Sequence, residues 1–266
     1  MTNMTLVLGG TGKTGRRVVE RLTAMNVPVR IGTRSGGVPF DWADRSTWAP
    51  ALDGTRTAYV SYYPDLAVPG ATDDIAAFTE LAGSRRLVLL SGRGEEEAQQ
   101  CEKILAASAA EWTVVRCSWF NQNFSEGYML EPLQEGHVHL PAGEVPEPFV
   151  DADDIADVAV AALTRDGHAG EVYELTGPRL LTFAQATAEI AAAAGREIGY
   201  TRIPVEAYVE HVPEDLAGFL TYLFTTVLDG RNASLGDGVQ RALGREPRDF
   251  ADYARETAAT GIWRAR

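Results

Sequence analysis

Met4-Thr5-Leu6-Val7-Leu8 runs without interruption into Gly9-Gly10-Thr11-Gly12-Lys13-Thr14-Gly15. The first five residues are a short apolar run that reads as a buried strand. The glycines that end it are spaced Gly9-x-x-Gly12-x-x-Gly15, and behind them Val18, Val19, Leu22 and Met25 recur at helical spacing. Strand, glycine turn and amphipathic helix, in that order, form the setting in which such a turn holds a dinucleotide. Glycine permits the tight turn and lets pyrophosphate approach the backbone. The helix N-terminus offers N–H groups and a partial positive charge to the phosphates. A phosphate loop of the GxxxxGK[ST] kind would need glycine at position 7, where Val7 stands.

The next strand, expected over residues 27–33, carries the choice of nucleotide. An NAD site usually places an acid at the end of this strand for the ribose 2′-hydroxyl, and an NADP site places arginine there. Between Glu20 and Asp41 there is no Asp or Glu, while Arg30 and Arg34 both lie in that window. Arg34 stands at the strand end, and its planar fork suits a phosphate. With Lys13 and Arg16 adding positive charge, the expected cofactor is NADP(H), preferred over NAD(H), with Arg34 on the 2′-phosphate.

Strand and helix continue to alternate. A short strand is expected at 38–41, then a helix capped near Ser46 with Trp48 and Leu52 inward, and a strand at 57–62. A helix at 72–82 turns Ile75, Phe78 and Leu81 to one face. A strand at 87–90, an alanine-rich helix at 95–109 and a strand at 112–116 follow. The strands are continuous apolar runs, the pattern of a parallel sheet covered on both faces. The fold class is therefore α/β, a Rossmann-type doubly wound parallel sheet. After Arg116 the composition shifts to aromatics, Gly, Pro and Asn, which implies a smaller, mainly C-terminal α+β substrate lobe. The expected division is 1–118 plus about 149–176 for the NADP-binding domain, and about 119–148 with 177–266 for the lobe. Within the later segments Asp151 is a good N-cap, Thr182-Phe183-Ala184-Gln185 reads as a capping box, and Gly195 stops the helix it opens.

Composition bounds the rest. In 266 residues, 45% are hydrophobic and 23% charged, which excludes disorder and coiled coil. Acids outnumber Lys and Arg 37 to 24, for a net charge of −13, and there is no basic tract, so nucleic-acid binding is disfavoured. Cys101 and Cys117 are the only cysteines, without a CxxC pair, which argues against a disulfide framework or zinc knuckle. No apolar run reaches the ~18 residues of a membrane span, and the N-terminus shows no leader pattern. A cytoplasmic protein acting on a small molecule, with oligomerisation left open, is expected.

Several stretches resemble one family. The glycine turn, Thr33-Arg34-Ser35, Phe40-Asp41-Trp42, Arg116-Cys117-Ser118-Trp119-Phe120-Asn121-Gln122-Asn123 and residues 148–156, Pro-Phe-Val-Asp-Ala-Asp-Asp-Ile-Ala, look like the NmrA-like branch of the atypical short-chain dehydrogenases/reductases. That branch includes quinone oxidoreductases, triphenylmethane reductases and non-enzymatic redox-sensing regulators. The resemblance implies that Gly9, Thr11, Gly12, Lys13, Thr14 and Gly15 hold the pyrophosphate and that Asp41 and Trp42 flank the adenine. It implies that Ser61 and Tyr62 line the ribose and nicotinamide, with Ser91, Cys117 and Ser118 near the nicotinamide ring. One departure stands out. Carbonyl-reducing short-chain dehydrogenases use Tyr-x-x-x-Lys, but the only lysines are Lys13 and Lys103, preceded four residues earlier by Gly9 and Gln99. Ordinary alcohol–ketone interconversion is thereby in doubt.

The expected activity is NADPH-dependent hydride transfer to a small electron-poor acceptor, quinone-like, aromatic or conjugated, held between the sheet edge and the residue 119–149 lobe. Ser91 is the candidate catalytic hydrogen-bond donor. Tyr63, Trp119, Phe120 and Phe124 are candidates for an aromatic substrate wall. A non-catalytic NADP(H) sensor and a dedicated natural-product reductase are the alternatives. His137-Val138-His139 places two imidazoles on one strand face, but no third ligand accompanies them and no metal site is expected. The acids Asp151, Asp153 and Asp154 read as charges opposing a helix dipole.

Overall fold

A computed structural model describes residues 4–34, 36–210 and 212–265. Ser35, part of the strand-end motif, lies outside the described residues. Along the chain run β1 (Met4–Leu8), α1 (Lys13–Ala24), β2 (Val29–Thr33), β3 (Val38–Pro39), a 3-10 turn (Arg45–Thr47) entering α2 (Trp48–Leu52), β4 (Thr55–Val60), α3 (Ala71–Ala82), β5 (Arg86–Gly92), α4 (Glu96–Ala107) and β6 (Glu111–Cys117). There follow α5 (Asn123–Glu126), α6 (Leu130–Glu135), β7 (His137–Leu140), α7 (Ala152–Thr164), β8 (Glu171–Leu175), α8 (Phe183–Ala194) and β9 (Gly199–Arg202). The last elements are α9 (Val205–Val209), α10 (Glu214–Tyr222) with a π turn (Leu223–Val227), α11 (Gly238–Leu243) and α12 (Phe250–Ala259).

The described chain divides into two compact units. The first comprises the chain through Cys117 with Ala152–Leu175 and Asp237–Arg245; the second comprises Ser118–Asp151, Thr176–Gly236 and Glu246 onward.

In the first unit seven strands form one sheet in the order β3-β2-β1-β4-β5-β6-β8. Every neighbouring pair is parallel. This is the Rossmann-type arrangement. The strand order reverses beside β1, and in open α/β sheets ligands bind at the carboxyl ends of the strands at that reversal. Leu6, Val7 and Leu8 are fully buried, as a strand covered on both faces requires. On one face Phe40, Trp42 and Trp48 pack around Phe78 at ring separations of 6.0, 5.3 and 5.9 Å. In α3, Ile75, Phe78 and Ala82 point inward, while Leu81 is exposed, so the expected apolar face is shifted by one position.

The sequence division placed everything after residue 176 in the lobe, but α11 belongs to the first unit. Gly238 explains why: a Cβ there would come within 2.5 Å of the Glu174 carbonyl oxygen, so only glycine lets the helix lie this close to β8. Arg245 secures the end of the segment, reaching Asp154 at 2.7 Å and Asp157 at 2.6 Å on α7. From the other side Arg21 of α1 reaches Asp153 at 2.7 Å. The acids read as dipole partners thus also fasten α7 to α1 and α11.

The second unit pairs β7 with β9 in a two-stranded parallel sheet. Its core is aromatic, with Phe124, Phe149, Phe183, Phe250 and Trp263 all buried. The capping box at Thr182 and Gln185 opens α8, and Gly195 closes it in a left-handed conformation with φ 65°. His137 and His139 are exposed on one face of β7, their rings stacked at 4.5 Å. No helix among the described residues is long and apolar enough to cross a membrane.

Candidate dinucleotide site

At the carboxyl edge of the first unit, β1 ends at Leu8 and Gly9 turns the chain with φ +65°, a conformation that side chains with a Cβ rarely adopt. The Gly12 N–H donates to the Gly9 carbonyl at 2.8 Å and closes the turn. Gly15, in the first turn of α1, presses against that same carbonyl: a Cβ would lie 2.1 Å from the Gly9 oxygen. Helix α1 starts with no side-chain cap at Gly12 and no acid in its first turn. Its leading N–H groups therefore form a natural place for an anion. Thr11 and Gly12 are exposed and Lys13 half-buried at the mouth of the turn. Thr14 is buried, its hydroxyl bonded by Tyr59 at 2.9 Å, so this residue serves the frame of the turn.

The two arginines of the cofactor-selecting window separate clearly. Arg30 donates to the carbonyls of Pro50, Ala51 and Asp53 at the end of α2. Arg34, one residue past β2, is exposed, and no acid among the described residues pairs with it. Its guanidinium lies 4.6 Å from the centre of the exposed Tyr63 ring, in the loop after β4. Ser61 borders the turn, its Oγ 3.4 Å from where a Gly9 Cβ would stand.

Several expected contacts prove to be engaged inside the protein. Trp42 is 8% exposed, packs on Trp48 and Tyr62, and donates its indole N–H to the Ser61 carbonyl at 3.1 Å. Only an edge of it can face a ligand. Asp41 accepts from the Ala43 N–H at 3.0 Å and shapes its own turn. The Tyr62 hydroxyl donates to Asp74 at 2.8 Å, and burial together with that carboxylate pushes the phenol above its usual range.

Ser91 is corrected as a substrate donor. It is buried, and its hydroxyl donates to Glu102 of α4 at 2.6 Å. Glu102 is bound in turn by Arg116, which also reaches Glu174 at 2.7 Å; Arg93 meets Glu174 at 3.3 Å. This chain of charges crosses β5, β6 and β8, and it gives Arg116 and Ser91 a structural task. Cys117 is 4% exposed, and burial raises its thiol well above the usual value, so it is no ready nucleophile.

One pairing escaped the sequence reading. Asp65 in the loop after β4 and Glu95, the residue before α4, lie close enough for each carboxyl to act on the other's ionisation. Glu95 is 7% exposed, and its Oε2 has no hydrogen-bond partner. Burial, and then the charge of Asp65, push the Glu95 carboxyl well above the usual carboxylate range; burial raises Asp65 as well. The available signal was positional: each acid follows the carboxyl end of one of two adjacent strands.

In the second unit Phe124 is corrected as a substrate wall. It is fully buried among Phe149, Phe183 and Phe250, with ring separations of 5.5, 6.2 and 5.4 Å. The physical reason is that α5 directs it into the aromatic core. Trp119 and Phe120 are half-buried, with Trp119 resting on Phe183 and on Phe224 of the π turn. Ser118 is buried, with no hydrogen-bond partner for its hydroxyl. Asn121 and Gln122 point to Asp151 at 3.4 and 3.0 Å.

The chain is 32% identical to the uncharacterized oxidoreductase YesF of Bacillus subtilis, over 98% of each chain. It is also 32% identical to the NAD(P)H azoreductase of Xenophilus azovorans, over 96% of this chain and 98% of that protein. Among solved structures, the Citrobacter triphenylmethane reductase complexed with NADP(H) matches with a TM-score of 0.74 at 16% identity, covering 96% of this chain and 99% of that one. A model of the NmrA-like family matches residues 97–254, more than half of the chain. The protein belongs to the NmrA-like family.

Proposed function

We propose that this protein is an NADPH-dependent reductase of small, electron-poor, flat acceptors such as quinones or conjugated aromatics. The observation that carries this reading is the pairing of an uncapped α1 behind the Gly9–Gly15 turn with Arg34, a guanidinium that no acid of the described residues engages. A Cβ at Gly15 would collide with the Gly9 carbonyl, so only glycine lets α1 start this close behind β1, where its first turn meets a diphosphate. Gly9, Gly12 and the first N–H groups of α1 hold the diphosphate, with Thr11 and Lys13 at its rim. Arg34 pairs with the 2′-phosphate, and the preference for NADP(H) over NAD(H) follows from it. Asp41, the edge of Trp42, Ser61 and Tyr62 border the nucleosides. Cys117 lies at the end of β6 in the first unit, and Ser118 opens the second.

The bound dinucleotide supplies a hydride. The Tyr63 ring, 4.6 Å from the Arg34 guanidinium, steadies that side chain for its phosphate. Tyr63, stacked on Arg34, borders the 2′-phosphate end of the cofactor and leaves the acceptor wall to others; the second unit, taken by itself, presents Trp119 and Phe120. The relatives named as an NAD(P)H azoreductase and a triphenylmethane reductase support an acceptor of this kind. No Tyr-x-x-x-Lys dyad exists anywhere in the chain, which favours acceptors that take hydride without carbonyl protonation by tyrosine.

A panel of quinones, azo compounds and cationic dyes, with NADPH consumption followed optically, tests the reading; turnover of at least one class is expected. The second reading, an NADP(H) sensor without turnover, is favoured by the inward commitment of the Ser91 and Tyr62 hydroxyls. Tight cofactor binding with no consumption across the panel selects it. A dedicated natural-product reductase is the same chemistry on a narrower acceptor.

A further inference from the structure

The loop after β4 stands beside the strand end that selects the cofactor, and both belong to the first unit. Its backbone is pinned on either side of Tyr63. Before it, the Ser61 carbonyl accepts from the Trp42 indole at 3.1 Å and the Tyr62 hydroxyl donates to Asp74 at 2.8 Å. After it, Leu66 is buried and the Ala67 N–H donates to Asp65 Oδ1 at 2.9 Å. Between these anchors the Tyr63 ring is 64% exposed, more than any other large apolar side chain among the described residues. The ring is not spent on the core. It lies under the Arg34 guanidinium, whose central carbon is 4.6 Å from the ring centre.

Arginine can be held in two ways. Oxygen acceptors take its N–H fork, and a carboxylate also neutralises its charge, so both are lost to a phosphate. An aromatic ring attracts the cation through its quadrupole and offers no lone pair to saturate the fork. Arg30, in the same window, is held the first way, by the carbonyls of Pro50, Ala51 and Asp53. Arg34 is held the second way, and no acid of the described residues engages it. We infer that Tyr63 is a specificity-determining residue, which positions Arg34 for the 2′-phosphate and with it forms a subsite for 2′-phosphorylated adenosine. This inference rests on the cofactor reading above and deepens it. A loose arginine loses rotamer freedom when it binds, and that loss weakens the contact. The ring, carried on a pinned loop, fixes the guanidinium beforehand and leaves its donors to the ligand. Tyr63 thus acts through Arg34, at the adenosine end of the cofactor.

Calorimetry on the full-length protein with NADPH, NADH, adenosine 2′,5′-bisphosphate and adenosine 5′-monophosphate tests this. Tyr63→Ala is expected to weaken NADPH and the bisphosphate about three- to tenfold, the range of a cation–π contact and one immobilised side chain. NADH and the monophosphate should bind as before. Tyr63→Phe keeps the ring and should match the wild type. Tyr63→Glu sets a carboxylate beside the guanidinium and should weaken NADPH more than Tyr63→Ala does. In an Arg34→Ala background, Tyr63→Ala should add nothing, because the ring has no cation to hold. A loop that merely loses its shape would instead lower the affinity for every ligand. Equal losses for NADPH and NADH, an undiminished effect in the Arg34→Ala background, or a loss in Tyr63→Phe as large as in Tyr63→Ala overturns the proposal. A wild type that binds NADPH and NADH alike removes the cofactor preference and this subsite together. A preference that Arg34→Ala abolishes and Tyr63→Ala leaves intact removes Tyr63 alone, with the cofactor reading still standing.

Discussion

At the amino edge of the seven-stranded sheet a cavity of about 890 Å³ is bordered by Asn26, Arg56, Arg85, Arg86, Glu111 and Asp166. At the carboxyl edge stand the glycine turn, Arg34 and Tyr63. A hollow of that volume invites a ligand, yet the two edges use arginine in opposite ways. At the amino edge helices end, presenting carbonyls with partial negative charge. Arg85 donates to the carbonyls of Ala82 and Thr55 at 2.7 and 3.1 Å, and Arg86 donates to that of Arg165 at 2.8 Å while pairing with Glu111 at 2.6 Å. These cations satisfy the protein itself. At the carboxyl edge α1 begins uncapped and Arg34 faces no acid. A helix start without a side-chain cap and a guanidinium that no acid of the described residues engages, and not the volume of a hollow, distinguish an anion site from a surface cleft.

The contrast predicts a graded set of outcomes. Gly15→Val forces a side chain into the Gly9 carbonyl and opens the turn, so calorimetry should find both dinucleotides bound more weakly, on the order of a hundredfold. Retained affinity would remove the carboxyl edge as the site. Arg34→Ala should weaken NADPH by about 1–3 kcal/mol and leave NADH nearly unchanged, as a charge-assisted contact to one phosphate requires. An equal loss for both cofactors would separate Arg34 from cofactor choice. Gly83→Ala acts at the other edge. Gly83 ends α3 with φ +60° and open space around it, so thermal unfolding should record a loss of about 1 kcal/mol with no change in binding. Arg86→Ala breaks ion pairs whose Asp166 side is fully exposed, and it should cost at most about 1 kcal/mol, again with binding intact. A loss of cofactor affinity in either amino-edge variant would blur the distinction between the edges.

Much of this division could be read from the sequence, for physical reasons that also mark its limit. The glycine turn is legible because its spacing is local and each glycine answers a backbone demand. Arg34 stands out because no acid occurs between Glu20 and Asp41. Phe124 was misplaced because an aromatic side chain suits a core and a ligand wall equally, and only the direction of α5 decides. The Ser91–Glu102 hydrogen bond was invisible because it joins residues on different elements, and sequence spacing carries no sign of that meeting. The return of α11 depends on Gly238 and Arg245 finding β8 and α7, which helical periodicity in residues 205–260 does not express.

That return has a consequence for biosynthesis. As the chain leaves the ribosome, the glycine turn and six strands of the sheet emerge early, and β8 follows after Cys117. Yet the acids Asp154 and Asp157 on α7 wait for Arg245 until some seventy residues beyond β8 have been added, although Arg21 of α1 already reaches Asp157. The first unit is therefore fastened late by a distant segment, and a nascent chain stalled before Arg245 should leave the side of α7 that receives α11 open to a chaperone or protease.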